Sequence, residues 1–312
     1  MKAKTVRKIT DKMAFCAKAF NKLKIMPLAI LIFKMKDKIV LKWIFKNYGD
    51  FIKNYKKNQA KPKVSFEKLP IWVCWFQGEE NAPEIVKKCI QSIKKHSAGH
   101  EVIVLTDKNL SDYVDIPSRI IDKVKAGELS RTNFSDILRA SLLQIYGGMW
   151  IDGTFFLTKD IPEDYFSYPI FSAAKQPEPK DRRNVCISRY RWTSSFIGAK
   201  NGGHTLFYFL KDILLEYEKT NSVFIDYLLI DYFIYIAYSN FDDVKYDIDN
   251  IPDNNIDFGW LFHVMNKPYD ELQMGRMLDG DTFCFKLSYK PKWKKQTNGK
   301  PTFFKKFLEG NL

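Results

Sequence analysis

The 312-residue chain has little of what builds metal or disulfide frameworks. Its five cysteines (Cys16, Cys74, Cys89, Cys186, Cys284) are scattered, odd in number and free of any CxxC pair, and its four histidines form no HExxH pairing. Unpaired thiols argue against a secreted disulfide scaffold and for a reducing compartment. Without paired His and Cys ligands, zinc chemistry is not expected. Long apolar runs are missing near the N-terminus as well: Ile25 to Phe33 is nine residues, against roughly 20 needed to span a bilayer. No small-residue cleavage site follows and lysines flank both sides, so the run fits a cleaved signal peptide poorly.

Acidic residues are scarce in one place. Residues 1–60 carry 16 of the 50 Lys and Arg but 3 of the 36 Asp and Glu (Asp11, Asp37, Asp50), which leaves 34 basic and 33 acidic residues for positions 61–312. The net charge of +14 is therefore nearly all N-terminal. A near-neutral body with a basic arm differs from a basic fold that tracks the phosphates of a nucleic acid. Within the arm, apolar positions from Phe15 to Phe45 interleave with eight lysines from Lys18 to Lys46. This pattern predicts helices lying in the headgroup plane of an anionic membrane, where each basic residue is worth about 1 kcal/mol. A hairpin packed on the body with a solvated lysine face is the alternative, and a nucleic-acid contact is the third reading. Three regions follow: a basic helical arm at 1–60, a main domain at 61–290 and a basic, aromatic tail at 291–312. The tract from Lys53 to Pro70, polar with two internal or terminal prolines, reads as the linker between the first two.

Hydrophobic residues make up 46% of the chain and charged residues 28%, the balance of a folded globular body. From Leu69 strands and helices alternate. Ile71 to Phe76 reads as a buried strand. Beyond Pro83, the positions Ile85, Val86, Cys89, Ile90 and Ile93 recur at helical spacing as far as His96, and Glu101 to Asp107 is the next strand. Residues 71–107 are thus a βαβ unit of an α/β fold, and ligands are expected where its strands end. Trp192 to Lys200 reads as a further strand, leading into a helix near His204, a polar helix-start residue. Ser222 to Ser239 reads as a core helix, apolar almost all round. The acidic, Asn-rich stretch 241–257 reads as a variable loop suited to acceptor choice.

The sharper signal is RTNFSDILRASLLQIYGGMWIDGTFF, Arg131 to Phe156. Asn133 is the candidate N-cap, and Gly147 and Gly148 end the helix. A strand follows at once, so Asp136, Arg139 and Asp152 meet around one corner. As a surface pair at i, i+3, Asp136 and Arg139 would contribute only about 0.2–0.5 kcal/mol. Asp152 sits among Trp150, Ile151, Phe155 and Phe156, where a carboxylate needs a cation or hydrogen-bond donors. If the chain stays extended, Asp152 and Thr154 face one side and offer a carboxylate and a hydroxyl to a bound ion, and Gly153 leaves room for a ligand.

The segments IWVCWFQGEENAPEIV, SRTNFSDILR, YGGMWIDGTFF and KLSYK, in this order, resemble bacterial capsular polysaccharide synthesis glycosyltransferases. That family is related to the DxD sugar-binding-region enzymes, which include the glucosyltransferase domains of large clostridial toxins. The resemblance covers most of residues 69–290 and implies a GT-A-type, Rossmann-like nucleotide-sugar-binding domain. It implies that Trp75 stacks on the nucleotide base, that Asp136 and Arg139 contact the donor sugar and diphosphate, and that Trp150 packs against the nucleotide. Asp152 would bind Mn²⁺ or Mg²⁺ beside the diphosphate, with Arg139 and Asp152 as the catalytic pair. Lys286, Ser288, Tyr289 and Lys290 would close over the diphosphate. The pattern departs at Asp152-Gly153-Thr154, where Thr154 stands for the second carboxylate, so Lys and Arg are the alternative to a metal.

The function implied is transfer of a sugar from a nucleotide-sugar, a UDP-sugar, to a lipid-linked surface saccharide at the cytoplasmic face of a bacterial inner membrane. Relatives of the family are commonly retaining. No acid between Asp160 and Asp257 stands out as a dedicated base, although Asp226 and Asp231 could face the acceptor. The partners expected are the donor, a lipid-linked oligosaccharide and an anionic membrane, with no nucleic acid. A sugar-phosphate transferase and a non-catalytic basic adaptor are the competing readings. From Lys286 to Lys306 eight lysines occur without an acid, interleaved with aromatics, a second candidate membrane contact.

Overall fold

The computed structural model describes residues 1–56, 66–176, 186–221 and 223–312. The expected linker at Lys53 to Pro70 lies in part outside the described residues. In chain order the elements are helices α1 (Ala3–Lys22) and α2 (Met26–Lys53), strand β1 (Ile71–Cys74), α3 (Glu84–Lys95), β2 (Val102–Leu105), α4 (Leu110–Tyr113), α5 (Ser118–Lys125) and α6 (Arg131–Ile145). They continue with β3 (Gly148–Ile151), β4 (Phe155–Leu157), β5 (Phe171–Ser172), β6 (Phe196–Ala199), α7 (Thr205–Thr220), α8 (Leu229–Asn240) and α9 (Asp242–Asp249). The C-terminal part holds α10 (Trp260–Val264), α11 (Glu271–Asp279), β7 (Cys284–Lys286), β8 (Gln296–Thr297), β9 (Lys300–Pro301) and α12 (Phe303–Glu309).

The central sheet is mixed, in the order β2-β1-β3-β6-β5. Strand β1 runs parallel to both β2 and β3, with Trp72 opposite Ile103 and Trp150, while β6 is antiparallel to β3 and β5. The βαβ unit is present, and the α/β class holds. Burial on both faces explains the continuous apolar runs: Ile71, Trp72, Val73 and all four residues of β3 are buried. Glycine is required where α6 meets β3. Gly147 has φ +71° and a Cβ there would lie 2.6 Å from the carbonyl carbon of Asn201; Gly148 has φ +85° and a Cβ would lie 2.3 Å from the Pro70 carbonyl oxygen.

Four local expectations differ. Ser130, not Asn133, caps α6, its hydroxyl accepting from the Asn133 N–H at 3.1 Å. Residues 152–154 form a turn rather than a continuing strand, with the Thr154 and Phe155 N–H groups donating to the Asp152 carbonyl at 2.7 and 3.0 Å. The core helix begins at Leu229, and 223–228 is irregular. The supposed loop at 241–257 contains α9. His204 does cap its helix, Nδ1 accepting from the Leu206 N–H at 3.1 Å.

Helices α1 and α2 pack on each other as a hairpin, and the hairpin is bound to the body by specific polar contacts. Thr10 Oγ1 donates to the Ile225 carbonyl at 2.6 Å, Tyr55 Oη to Asp212 at 2.8 Å, and Tyr48 hydrogen-bonds Thr220 at 3.0 Å. Lys36 and Asp226 form an ion pair of 2.6 Å with side chains only 8% and 6% exposed. Trp43, Tyr48 and Tyr217 form an aromatic cluster beneath. In the tail, Phe303 and Phe307 are buried, so these two aromatics serve packing. Among the described residues no helix is long and apolar enough to cross a membrane.

Candidate functional site

A cavity of about 810 Å³ opens at the C-terminal ends of β1 and β3. Strand β1 delivers Trp75, β3 delivers Asp152, α6 contributes Asp136 and Arg139, and the stretch beginning in β7 contributes Lys286 to Lys290. Trp75, Asp136, Arg139, Trp150, Asp152 and Thr154 all line it, as do Lys286, Ser288, Tyr289 and Lys290. Elements separated by 134 residues are joined here because β4, which follows the 152–154 turn, pairs antiparallel with β7 and sets Phe155 opposite Lys286.

Asp152 is the centre of the charge network. Its Oδ1 accepts from Arg139 Nη2 at 3.1 Å and from the Trp150 indole N–H at 2.9 Å, and its Oδ2 accepts from Lys286 Nζ at 2.7 Å. Arg139 also donates to Asp136 Oδ1 at 3.1 Å and lies over the Trp150 ring, 4.9 Å from its centre. This is a buried network rather than a surface pair, since both Asp136 and Arg139 are buried. Burial works to raise the Asp152 carboxyl, yet Lys286 and Arg139 outweigh it and hold the group below its usual range. Asp136 shows the opposite balance: burial pushes it up to about 7 despite Arg139.

Trp150 reaches the cavity largely through Asp152, being 1% exposed. Trp75 is more open and stands edge-on to Tyr289, ring centres 5.5 Å apart, with an indole N–H that has no partner among the described residues. Lys290 Nζ lies 5.9 Å from the centre of the Tyr227 ring. Ser288 is held by the chain around it, its carbonyl accepting from Trp293 Nε1 at 2.8 Å. Gly153 lines the cavity through its backbone, and a Cβ there would point to the core side, meeting Val73, Val86 and Ile90 at 3.6–3.7 Å.

Two contributors went unrecognised or half-recognised in the sequence. Arg131 lines the cavity and pairs with both oxygens of Asp107 at 2.9 and 2.8 Å; its spacing of four and eight from Ser135 and Arg139 puts all three on one helical face, a signal that was legible. Asp231 lines the opposite wall, held by Trp192 Nε1 at 3.0 Å and Ser194 Oγ at 3.2 Å, and burial pushes it up to about 6. Asp226 turns away from the cavity to Lys36, while its neighbours Tyr227 and Leu228 form the rim.

A divalent cation finds few ligands here. Hard cations take six or more oxygens, yet both Asp152 oxygens already accept from Lys286, Arg139 and Trp150. Among the described residues no group of three or more His, Cys, Asp or Glu converges to hold a metal. The donor set fits Mn²⁺ or Mg²⁺ poorly.

No curated protein matches the chain. Among solved structures it is similar to the apo form of WbbM, a bifunctional glycosyltransferase, at 9% identity and a TM-score of 0.42, covering 83% of this chain and 52% of that one. The chain thus spans about half the length of that protein. The family described as capsular polysaccharide synthesis protein matches over residues 21–307, a span that takes in α2 and the whole cavity from Cys74 to Lys290. On that match, the chain belongs to the capsular polysaccharide synthesis protein family.

Proposed function

We propose that this protein is a GT-A-type glycosyltransferase that moves a sugar from a nucleotide-sugar, a UDP-sugar, to a lipid-linked saccharide at a membrane surface. The observation that carries the reading is the convergence of Trp75, the Asp136–Arg139–Asp152 network and the Lys286 to Lys290 segment in one cavity at the ends of parallel strands. Trp75 offers an aromatic face to the base. Asp136 accepts hydrogen bonds from donor-sugar hydroxyls, and the cations meet the diphosphate.

In the reaction the bond from the anomeric carbon to the β-phosphate oxygen breaks and a bond to the acceptor hydroxyl oxygen forms. With attack on the leaving-group face, the departing phosphate oxygen takes the hydroxyl proton, and configuration is retained. Fixed charge at the leaving diphosphate and a positioned acceptor supply the catalysis. Asp231, on the opposite wall, is the carboxyl we assign to the acceptor side.

The membrane side rests on the hairpin. On α2, Leu31, Met35, Lys38, Lys42, Phe45 and Lys46 are exposed at spacings of three and four, and on α1 so are Lys4, Lys8, Lys12, Phe15 and Lys22. Such a basic, apolar-studded face suits anionic lipid. The Lys36–Asp226 pair ties this hairpin to the loop whose Tyr227 and Leu228, 50% and 41% exposed, form the cavity rim. On this reading a lipid-carried acceptor held at the hairpin enters by that rim. On the same reading, with a donor drawn from the cytosol, the protein works as a peripheral enzyme on the cytoplasmic face of the inner membrane.

The test is incubation of the full chain with common nucleotide-sugars, with identification of the released nucleotide. Nucleoside diphosphate from one donor is expected. Monophosphate release would identify a sugar-phosphate transferase instead, and absence of binding by any donor would leave the adaptor reading.

A further inference from the structure

The relation between Asp152 and Lys286 extends this reading, on which it rests, to the means by which diphosphate charge is met. A DxD-type site presents carboxylates to a divalent cation, and the cation presents its charge to the diphosphate. Here Thr154 stands where the second carboxylate would be, and the Asp152 oxygens are occupied by protein donors. The lysine is set by the sheet: Lys286 pairs with Phe155, its N–H donates to the Phe258 carbonyl at 2.8 Å, and the Leu287 N–H donates to the Thr154 carbonyl at 2.8 Å. Lys286 Nζ also lies 4.7 Å from the centre of the Phe155 ring, which fixes the ammonium from a second side.

An ammonium has three donors. One is spent on Asp152, and the remainder are available toward the cavity that Lys286 lines. Lys290 lies four residues on at the rim and has no carboxylate partner among the described residues. Arg139 and Lys286 thus set two fixed cations on the carboxylate of Asp152, with Lys290 a third cation at the exposed rim, while burial favours the neutral form of Asp136. We infer that Lys286, anchored by Asp152 and assisted by Lys290, takes the place of the divalent cation at the donor diphosphate, so that nucleotide binding does not need metal. Asp152 then acts as the positioning residue for Lys286. As the glycosidic bond breaks, the extra negative charge on the leaving diphosphate is met by ammonium groups that keep their protons.

Titration calorimetry of the full chain with UDP and the other nucleoside diphosphates, once in EDTA and once in Mn²⁺, tests this. One nucleotide should bind with the same affinity in both, within about twofold. Lys286→Gln should weaken it about tenfold or more in EDTA, since a charged hydrogen bond is worth about 1.5–3 kcal/mol, and Lys286→Arg should restore most of the loss. Lys290→Gln, on the exposed rim where folding is not at stake, should weaken binding by a smaller factor. Restoring the second carboxylate and freeing the first, in Thr154→Asp with Lys286→Gln, should create Mn²⁺-dependent binding in a protein that otherwise binds weakly. Binding of the wild type in Mn²⁺ but not in EDTA would overturn the inference and leave the glycosyltransferase reading intact. Failure of every nucleotide in both conditions would overturn both.

Discussion

Two basic regions of this molecule use positive charge in opposite ways. In the hairpin, Lys4, Lys8, Lys12, Lys38, Lys42 and Lys46 point to solvent, and the lysine turned inward, Lys36, is paired with Asp226. Around the cavity, Arg131, Arg139 and Lys286 are each paired with carboxylates from other elements. The first arrangement leaves charge free for a surface of the opposite sign; the second holds charge at fixed points in a walled space. Composition reveals only the first, because these three cavity cations are paired with acids and the body's net charge is near zero. Net charge thus locates a candidate membrane face, whereas paired charge locates the chemistry.

The comparison can be broken at its hinge and then at each side. The largest effect is expected from Lys36→Met, which leaves Asp226 buried and unpaired. Removing one partner of a buried pair costs about 3–5 kcal/mol, and denaturant melts should show that loss, whereas Lys38→Met on the solvent face should change stability little. Asp152→Asn should come next. It removes the charge that anchors Lys286 and Arg139, and diphosphate release should fall about 10²-fold or more in a protein that still melts cooperatively. A wild-type rate would remove Asp152 from the site.

Trp75→Ala should weaken nucleotide binding by about 1–3 kcal/mol, the usual worth of a base–aromatic stack, with Trp75→Phe retaining most of it. The smallest effect concerns pH. Asp136 has a folded-state value of about 7 against an ordinary 3.8, so the fold favours its protonated form. That contribution is full below the ordinary value and is lost as pH rises through about 7. Asp136→Asn lacks this loss, so the melting temperature of the variant relative to wild type should increase between about pH 5 and about pH 8. A difference independent of pH would show that the carboxyl is not held neutral by burial.

Much of this was legible in the chain. The βαβ unit follows from apolar runs and helical spacing, and the α6 to β3 corner from Asp136, Arg139, the glycine pair and Asp152. What was not legible depends on contacts far apart in sequence. Nothing near Lys286 indicates that β7 pairs with β4 and so brings its ammonium to Asp152. Asp231 reads as one polar residue on an apolar helix until Trp192 and Ser194 are placed beside it. The 152–154 turn was hidden because its flanking aromatics suit a strand equally well, and β4 leaves the central sheet to pair with β7. Ser130 and Asn133 both suit an N-cap, and only the backbone decides between them. In the hairpin the periodicity shows two faces, but which one meets the body is set by Ile225, Asp226 and Tyr217 some two hundred residues later.

The most direct test of a membrane-surface glycosyltransferase is to follow labelled sugar from each candidate nucleotide-sugar into lipid-extractable material, using membranes that carry the acceptor. One nucleoside diphosphate should appear for each sugar recovered in the lipid extract, and charge-reversal of the exposed hairpin lysines should abolish the lipid-bound label while leaving donor binding unchanged. Label that stays water-soluble with active wild-type enzyme, or release of monophosphate in step with lipid labelling, would contradict the account.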